Sequence, residues 1–198
     1  VGEARLLMSQ GDHTKALKVL MASMDDQANK GFVCYQIGLV FIDQEKMEEG
    51  VLWLERALKI SPDLIEAHRV LNNILRENND PRFLLSYAEA IASLPDFAPL
   101  YHNLSATYLS VGEIDAAGEC LSKAVEEIDG NPYLVHGLGV FFMRQGRLGE
   151  AKPLLEDAIT RLPDNTRFLI DLANLHMKEE NYPEVGSLLA HAGQIEPY

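Results

Sequence analysis

Six histidines, two cysteines and several adjacent carboxylates are the residues of this 198-residue chain whose types could do chemistry. They do not form a catalytic pattern. Cys34 and Cys120 have no histidine at a readable spacing, so neither is set up as a thiolate nucleophile. Both lie within helical patterns in different stretches of the chain, and a reduced, unbridged state is expected. The pairs Glu48-Glu49, Glu126-Glu127 and Glu179-Glu180 fall on predicted outer surfaces and read as solvated faces. The run His136-Gly137-Leu138-Gly139 suggests a glycine-rich phosphate loop, but it lies mid-helix, follows no strand and lacks a P-loop lysine. Its glycines are read as close-packing residues. His68 and His176 occupy packing places and are read as satisfied core residues. His102 and His136 stand 34 residues apart at one helix place. Equivalent helices pack about 10 Å apart, so both imidazoles could reach a shared group. Two histidines are too few ligands for a metal, and contact with a peptide is the preferred role. The sequence thus predicts no metal site, no cofactor and no enzyme.

A repeat sets the positions of these residues. The stretch 132–165 reads as two amphipathic helices joined by a turn at Gly146, with Pro163 forbidding continuation of the second. Residues of the same kind recur with a period of 34, giving units 1–30 (incomplete), 31–64, 65–97, 98–131, 132–165 and 166–198. Places seven and eight hold Ile37-Gly38, Leu71-Asn72, Leu104-Ser105, Leu138-Gly139 and Leu172-Ala173, small at place eight in all but one unit. Place eleven is bulky throughout: Leu7, Phe41, Leu75, Tyr108, Phe142 and His176. Place twenty is Ala16, Gly50, Phe83, Ala117, Ala151 and Val185. Place twenty-seven is Ser23, Ala57, Ala90, Ala124, Ala158 and Ala192. Proline closes four units, as Pro62, Pro95, Pro163 and Pro197, with Asp129 and Ala28 in the other two. In the unit 65–97, Asp80 is expected to cap the second helix and Pro81 to occupy its first position. Pro153, well inside a predicted helix, removes one backbone hydrogen bond.

The bulk numbers narrow the function. A formal charge of −13 and a pI near 4.8 disfavour nucleic-acid and anionic-lipid binding. No apolar run approaches the roughly 20 residues that span a bilayer. The opening residues carry no signal-peptide pattern, so a cytoplasmic chain is expected. The first unit begins partway through a helix, Val1 is not an initiator methionine, and no polar capping helix follows 166–198. A piece of a longer chain is therefore expected.

The pattern of Leu-Gly, an aromatic, two spaced alanines and a closing proline at period 34 resembles the tetratricopeptide repeat family over the whole chain. The family's tryptophan at place four is replaced by Cys34, His68, Tyr101, Val135 and Leu169. The resemblance implies an all-α, right-handed superhelical solenoid of about six helix-turn-helix units, forming a single domain over 1–198. It implies a scaffold that binds an extended peptide or a partner helix in a concave groove lined by the first helices. At the groove places stand the basic residues Arg5, Arg69, Arg76, Arg144, Arg167 and Lys178, with the acidic Asp43, Glu66, Glu77 and Asp171. The peptide-binding residues expected from this geometry are Arg69, Asn73, Arg76, His102, Asn103, Tyr133, His136, Arg144 and Asn174. Phe32, Tyr35, Leu39, Leu109, Tyr133, Val140 and Met143 are expected as exposed apolar pocket groups. Some family members clamp a two-carboxylate chaperone tail. Here Arg69, Asn73 and Asn103 match part of that clamp, while Tyr133 and Gly137 stand where basic residues would be. Two alternatives stay open: a substrate-recruiting arm of a larger enzyme such as a transferase, and a scaffold that self-associates through uncapped ends.

Overall fold

Where a repeat keeps a small residue at places eight and twenty, two helices can cross with their backbones nearly touching. A Cβ added at Gly38 would stand 3.2 Å from the Gly50 carbonyl oxygen, and one at Gly139 would stand 2.9 Å from Leu155 Cδ2. The computed structural model describes residues 2–25, 28–128 and 130–195. Among them are twelve α-helices and no strand. In chain order they are α1 Gly2–Ser9, α2 His13–Ala22, α3 Lys30–Asp43, α4 Met47–Ile60, α5 Ile65–Glu77 and α6 Leu85–Ser93. Then come α7 Ala98–Ser110, α8 Ile114–Glu127, α9 Pro132–Arg144, α10 Leu148–Arg161, α11 Thr166–Lys178 and α12 Tyr182–Ile195. The architecture is an all-α repeat of helix pairs, of the solenoid class. Asp129 and Pro197, two of the closing-place residues, lie outside the described residues.

The turn inside each pair has a fixed backbone signature. Gly11, Gly112 and Gly146 have φ of +74, +85 and +76°, and Glu45, Asn79 and Glu180 take the same left-handed region at +61, +52 and +58°. All six occupy place fifteen. At Gly146 the N–H donates to the Met143 carbonyl at 3.2 Å and the next N–H, of Arg147, to Phe142 at 3.0 Å, which closes the helix end. Glycine is the residue that adopts this conformation without cost, and its scatter over half the units is why the signature is hard to see in the sequence.

The chain divides into two compact units, residues 1–103 and 104–198. In the first, Ala4, Ala16, Leu20, Val33, Ile37 and Val40 form one core cluster, and Cys34, Leu54, Ala57, Leu71 and Leu75 another. In the second, Leu155 packs with Met143, Ala151, Leu172 and Leu175, while Ala117, Leu121, Leu138 and Phe141 pack around α8 and α9. Tyr35 and Met143, expected as exposed pocket groups, are buried in these clusters. Pro153 sits inside α10, which continues through it.

The unit 65–97 departs from the expected boundary. Residues 81–84 are turns, and α6 starts at Leu85 rather than Pro81. Asp80 accepts from the Arg82 N–H at 2.8 Å and from its guanidinium, so it closes a local turn instead of capping the helix. Leu84 takes φ +69°, and its N–H donates to Asn72 Oδ1 at 2.6 Å. The physical reason lies in the two crossing places. Asn72 and Phe83 are large where the other units are mostly small, so α6 cannot seat its first turn against α5. No helix among the described residues is long and apolar enough to cross a membrane.

Candidate binding faces of the two units

In the first unit the residues at the expected lining places come from α1, α3 and α5. Arg69 and Asn73 lie one turn apart on α5 and are exposed, and Arg76 is half-buried. From α1, the Arg5 guanidinium lies over the Phe32 ring at 5.8 Å, and its Nε donates to Gln36 Oε1 at 3.4 Å. Gln36 is only 1% exposed, and its amide nitrogen has no hydrogen-bond partner among the described residues. Burial pushes the Tyr35 hydroxyl pKa up, the Glu66 charge adds to this, and the Arg5 and Arg69 charges oppose it. Three charged groups from two helices, Arg5 on α1 and Glu66 and Arg69 on α5, therefore act on the hydroxyl of Tyr35 on α3. His102 and Asn103 on α7 are half-buried, and the Asn103 amide donates to the Pro99 carbonyl at 2.9 Å.

In the second unit, Tyr133, Arg144 and Asn174 are exposed, but His136 is not. It is buried against α11, stacked on Phe168 at 4.2 Å between ring centroids, with Nε2 3.0 Å from Asp171 Oδ2. The same oxygen accepts from Arg167 Nε at 2.8 Å, and Tyr133 meets Phe168 edge-on at 5.5 Å. This corrects the expectation of a groove-facing imidazole. Place five of α9 lies against α11, whose Phe168 and Asp171 supply a stacking plane and an acceptor. Burial raises the Asp171 pKa, but the hydrogen bonds from His136 and Arg167 outweigh it and hold the carboxyl below its ordinary value.

The two packing histidines are satisfied inside their units. His176 Nδ1 lies 3.2 Å from Glu179 Oε2. His68 has Nε2 2.9 Å from the Pro62 carbonyl and Nδ1 3.0 Å from Ser86 Oγ. The carbonyl can only accept, so Nε2 carries the proton and Nδ1 accepts from the Ser86 hydroxyl. The Asn72 amide nitrogen donates to Ser86 Oγ at 2.8 Å and to the His68 carbonyl at 2.9 Å. This network, which ties α5 to α6 through residues 68, 72, 84 and 86, is absent from the sequence reading. Its signal was Asn72 at a place that is small elsewhere.

Burial lowers the His68 pKa. A base whose folded pKa is depressed contributes stability that is complete above its unfolded value, about 6.5, and is lost as pH falls through the folded value. The melting temperature is therefore expected to drop between about pH 7 and 5. The drop should be shallower in His68→Gln, and equal slopes would show that His68 is not the group responsible. Burial also raises both thiol pKa values, that of Cys120 to about 11, so neither cysteine is a thiolate at neutral pH. Both are free thiols. No group of three or more His, Cys, Asp or Glu side chains able to hold a metal occurs among the described residues.

Comparisons with known proteins place this architecture. Family models described as tetratricopeptide repeat match residues 33–64 and 98–128, and a second model of the same description matches 142–197. Together they cover more than half of the chain. A tetratricopeptide repeat-containing protein of Bacillus subtilis, YpiA, is 22% identical over 186 residues, which is 93% of this chain and 44% of that protein. The chain thus spans less than half the length of this relative. Among solved structures, pilF of Pseudomonas aeruginosa superposes with a TM-score of 0.55 at 14% identity, covering 99% of this chain and 90% of that one. YrrB, described as a tetratricopeptide repeat protein with an unusual peptide-binding site, superposes with a TM-score of 0.52 at 14% identity, covering 90% and 92%. At these identities the structures attest the fold. With its helix pairs, its small crossing places and the family matches along its length, the chain belongs to the tetratricopeptide repeat family.

Proposed function

We propose that this chain is a non-catalytic docking scaffold whose first unit holds an extended peptide carrying a carboxylate on the face formed by α1, α3 and α5. The observation that carries this reading is the pair of exposed groups Arg69 and Asn73 one turn apart on α5, with the Arg5 guanidinium of α1 held on α3 over the Phe32 ring and against Gln36 Oε1. Two guanidinium groups offer paired donors matched to a carboxylate, and Asn73 can both donate to and accept from a peptide backbone. Phe32, half-buried under Arg5, offers an apolar platform. The fold supports protein partners in general, and the acidity of the chain argues against nucleic acid. In the second unit, the exposed Tyr133, Arg144 and Asn174 are the groups available for the same kind of contact.

The test is a peptide array probed with the wild type and two double variants. Arg5→Ala with Arg69→Ala is expected to weaken capture of carboxylate-bearing peptides at least tenfold. Glu126→Ala with Glu127→Ala, exposed on α8, should leave it unchanged. Identical capture by all three proteins would remove the α1–α3–α5 face from consideration. Salt weakens the arginine contacts but also screens repulsion from the −13 chain, so the salt dependence should be shallow.

One observation favours self-association as well. On α12, Tyr182 and Leu189 are 62% and 47% exposed and lie two turns apart on one side. Exposed apolar stripes of this kind find partners. Concentration-dependent dimers are expected in sedimentation, strengthened by salt because screening reduces repulsion between acidic chains, and lost in Leu189→Glu. A strict monomer at high concentration and high salt would dismiss this reading.

A further inference from the structure

Away from the α1–α3–α5 face, the first unit holds a cleft of about 510 Å³ between the C-terminal half of α4 and α6, floored by α5. It follows from the sequence departures already described. With Asn72 and Phe83 at crossing places that are mostly small elsewhere, α6 starts late. The polar chain from Pro62 through His68, Ser86 and Asn72 to Leu84 then fixes α6 where it stands. The space is thus built into the packing and held by a hydrogen-bonded chain through five residues. Its size is that of an ordinary ligand site.

The walls carry a definite chemistry. Leu58, Leu71 and Leu75 make an apolar floor, and Leu85, 49% exposed, stands at the lip. At one end Glu55 is neutralised by Arg82 at 2.6 Å, and Arg82 is held in turn by Asp80 at 2.8 Å. That leaves two charges on opposite walls, Lys59 on α4 and Glu89 on α6, both exposed. Neither side chain forms an ion pair within 4.0 Å among the described residues, with each other or with any other group. An apolar floor between one free cation and one free anion disfavours an occupant of net charge. It suits a neutral occupant with a carboxylate at one end, an ammonium at the other and aliphatic side chains between.

We propose that the α4–α6 cleft is a second docking site, taking a short apolar segment of a partner protein flanked by one acidic and one basic residue. The segment lays its aliphatic side chains on Leu58, Leu71 and Leu85, its carboxylate toward Lys59 and its ammonium toward Glu89. This site is independent of the α1–α3–α5 face, and a partner could engage the two separately or together.

The probe is the capped peptide Ac-Glu-Leu-Leu-Lys-NH2, titrated into the whole chain and followed by backbone amide NMR shifts. Saturable shifts are expected at Leu85, Glu89 and Lys59, with binding about tenfold weaker for Ac-Gln-Leu-Leu-Gln-NH2. Lys59→Glu and Glu89→Lys should each weaken the charged probe about tenfold. The double charge reversal should restore binding, because a reversed peptide finds its complementary walls again. All three variants alter exposed side chains, and unchanged circular dichroism confirms their folding. Arg5→Ala with Arg69→Ala should leave these shifts in place, which separates failure here from failure of the other face. Absence of saturation, equal binding of the uncharged peptide, no loss in the single reversals, or shifts confined to α1, α3 and α5 would each overturn the proposal.

Discussion

Replacing Leu155 by alanine is expected to destabilise the unit 104–198 by about 2–5 kcal/mol, read from urea unfolding. Leu155 is fully buried on α10 and packs with Met143, Ala151, Leu172 and Leu175, so it joins α10 both to α9 and to α11. It sits over Gly139, where an added Cβ would lie 2.9 Å from both its Cγ and Cδ2. That closeness yields a sharper test than a single deletion. Gly139→Ala alone should cost about 1–3 kcal/mol through overpacking, despite the better helix propensity of alanine. In the Leu155→Ala background the new methyl enters the vacated space, and Gly139→Ala should become neutral or stabilising by up to about 1 kcal/mol. Additive losses would mean that the glycine and the leucine do not share one slot.

The same slot explains how much could be read in advance. Period, helix pairing and crossing places were legible because backbones can cross closely only where one side chain is nearly absent. Gly38, Gly50 and Gly139 repeat that demand along the chain. The left-handed place fifteen escaped notice because Glu45, Asn79 and Glu180 meet it beside three glycines, and composition does not mark a conformation that several residue types tolerate. The late start of α6 escaped because Asp80-Pro81 is a valid helix beginning taken locally. It is overruled by Asn72 and Phe83, whose bulk acts across the pair. The reading of His136 and Tyr35 as lining groups failed for a related reason. A helix place fixes direction, whereas burial depends on the neighbouring helix, and Phe168 with Asp171 covers the one while Arg5 and Phe32 lie close to the other. Among the polar features, only His68 and His176 were legible as core residues. Their partners, Ser86 and Glu179, were not.

Asp171→Ala is expected to cost about 3 kcal/mol, because it strips a charged acceptor from a buried donor. Asp171 is 6% exposed and His136 9%, and the imidazole is fixed by its stack on Phe168, so water cannot readily replace the lost carboxylate. Arg167→Ala should cost less than about 1 kcal/mol, since that side chain is 70% exposed and its pairing is screened. The contrast between the two partners of one carboxylate tests whether the imidazole or the guanidinium is the structural contact. The pH dependence supplies a second arm. A carboxyl held below its ordinary value contributes stability that is complete above the unfolded value of about 3.9 and is lost as pH falls through the folded value. The stability gap between wild type and Asp171→Asn should therefore be full at pH 7 and shrink below about pH 4. A gap that stays constant from pH 7 to 3, or an Arg167→Ala loss equal to that of Asp171→Ala, would show that the buried imidazole–carboxylate contact does not hold α9 to α11.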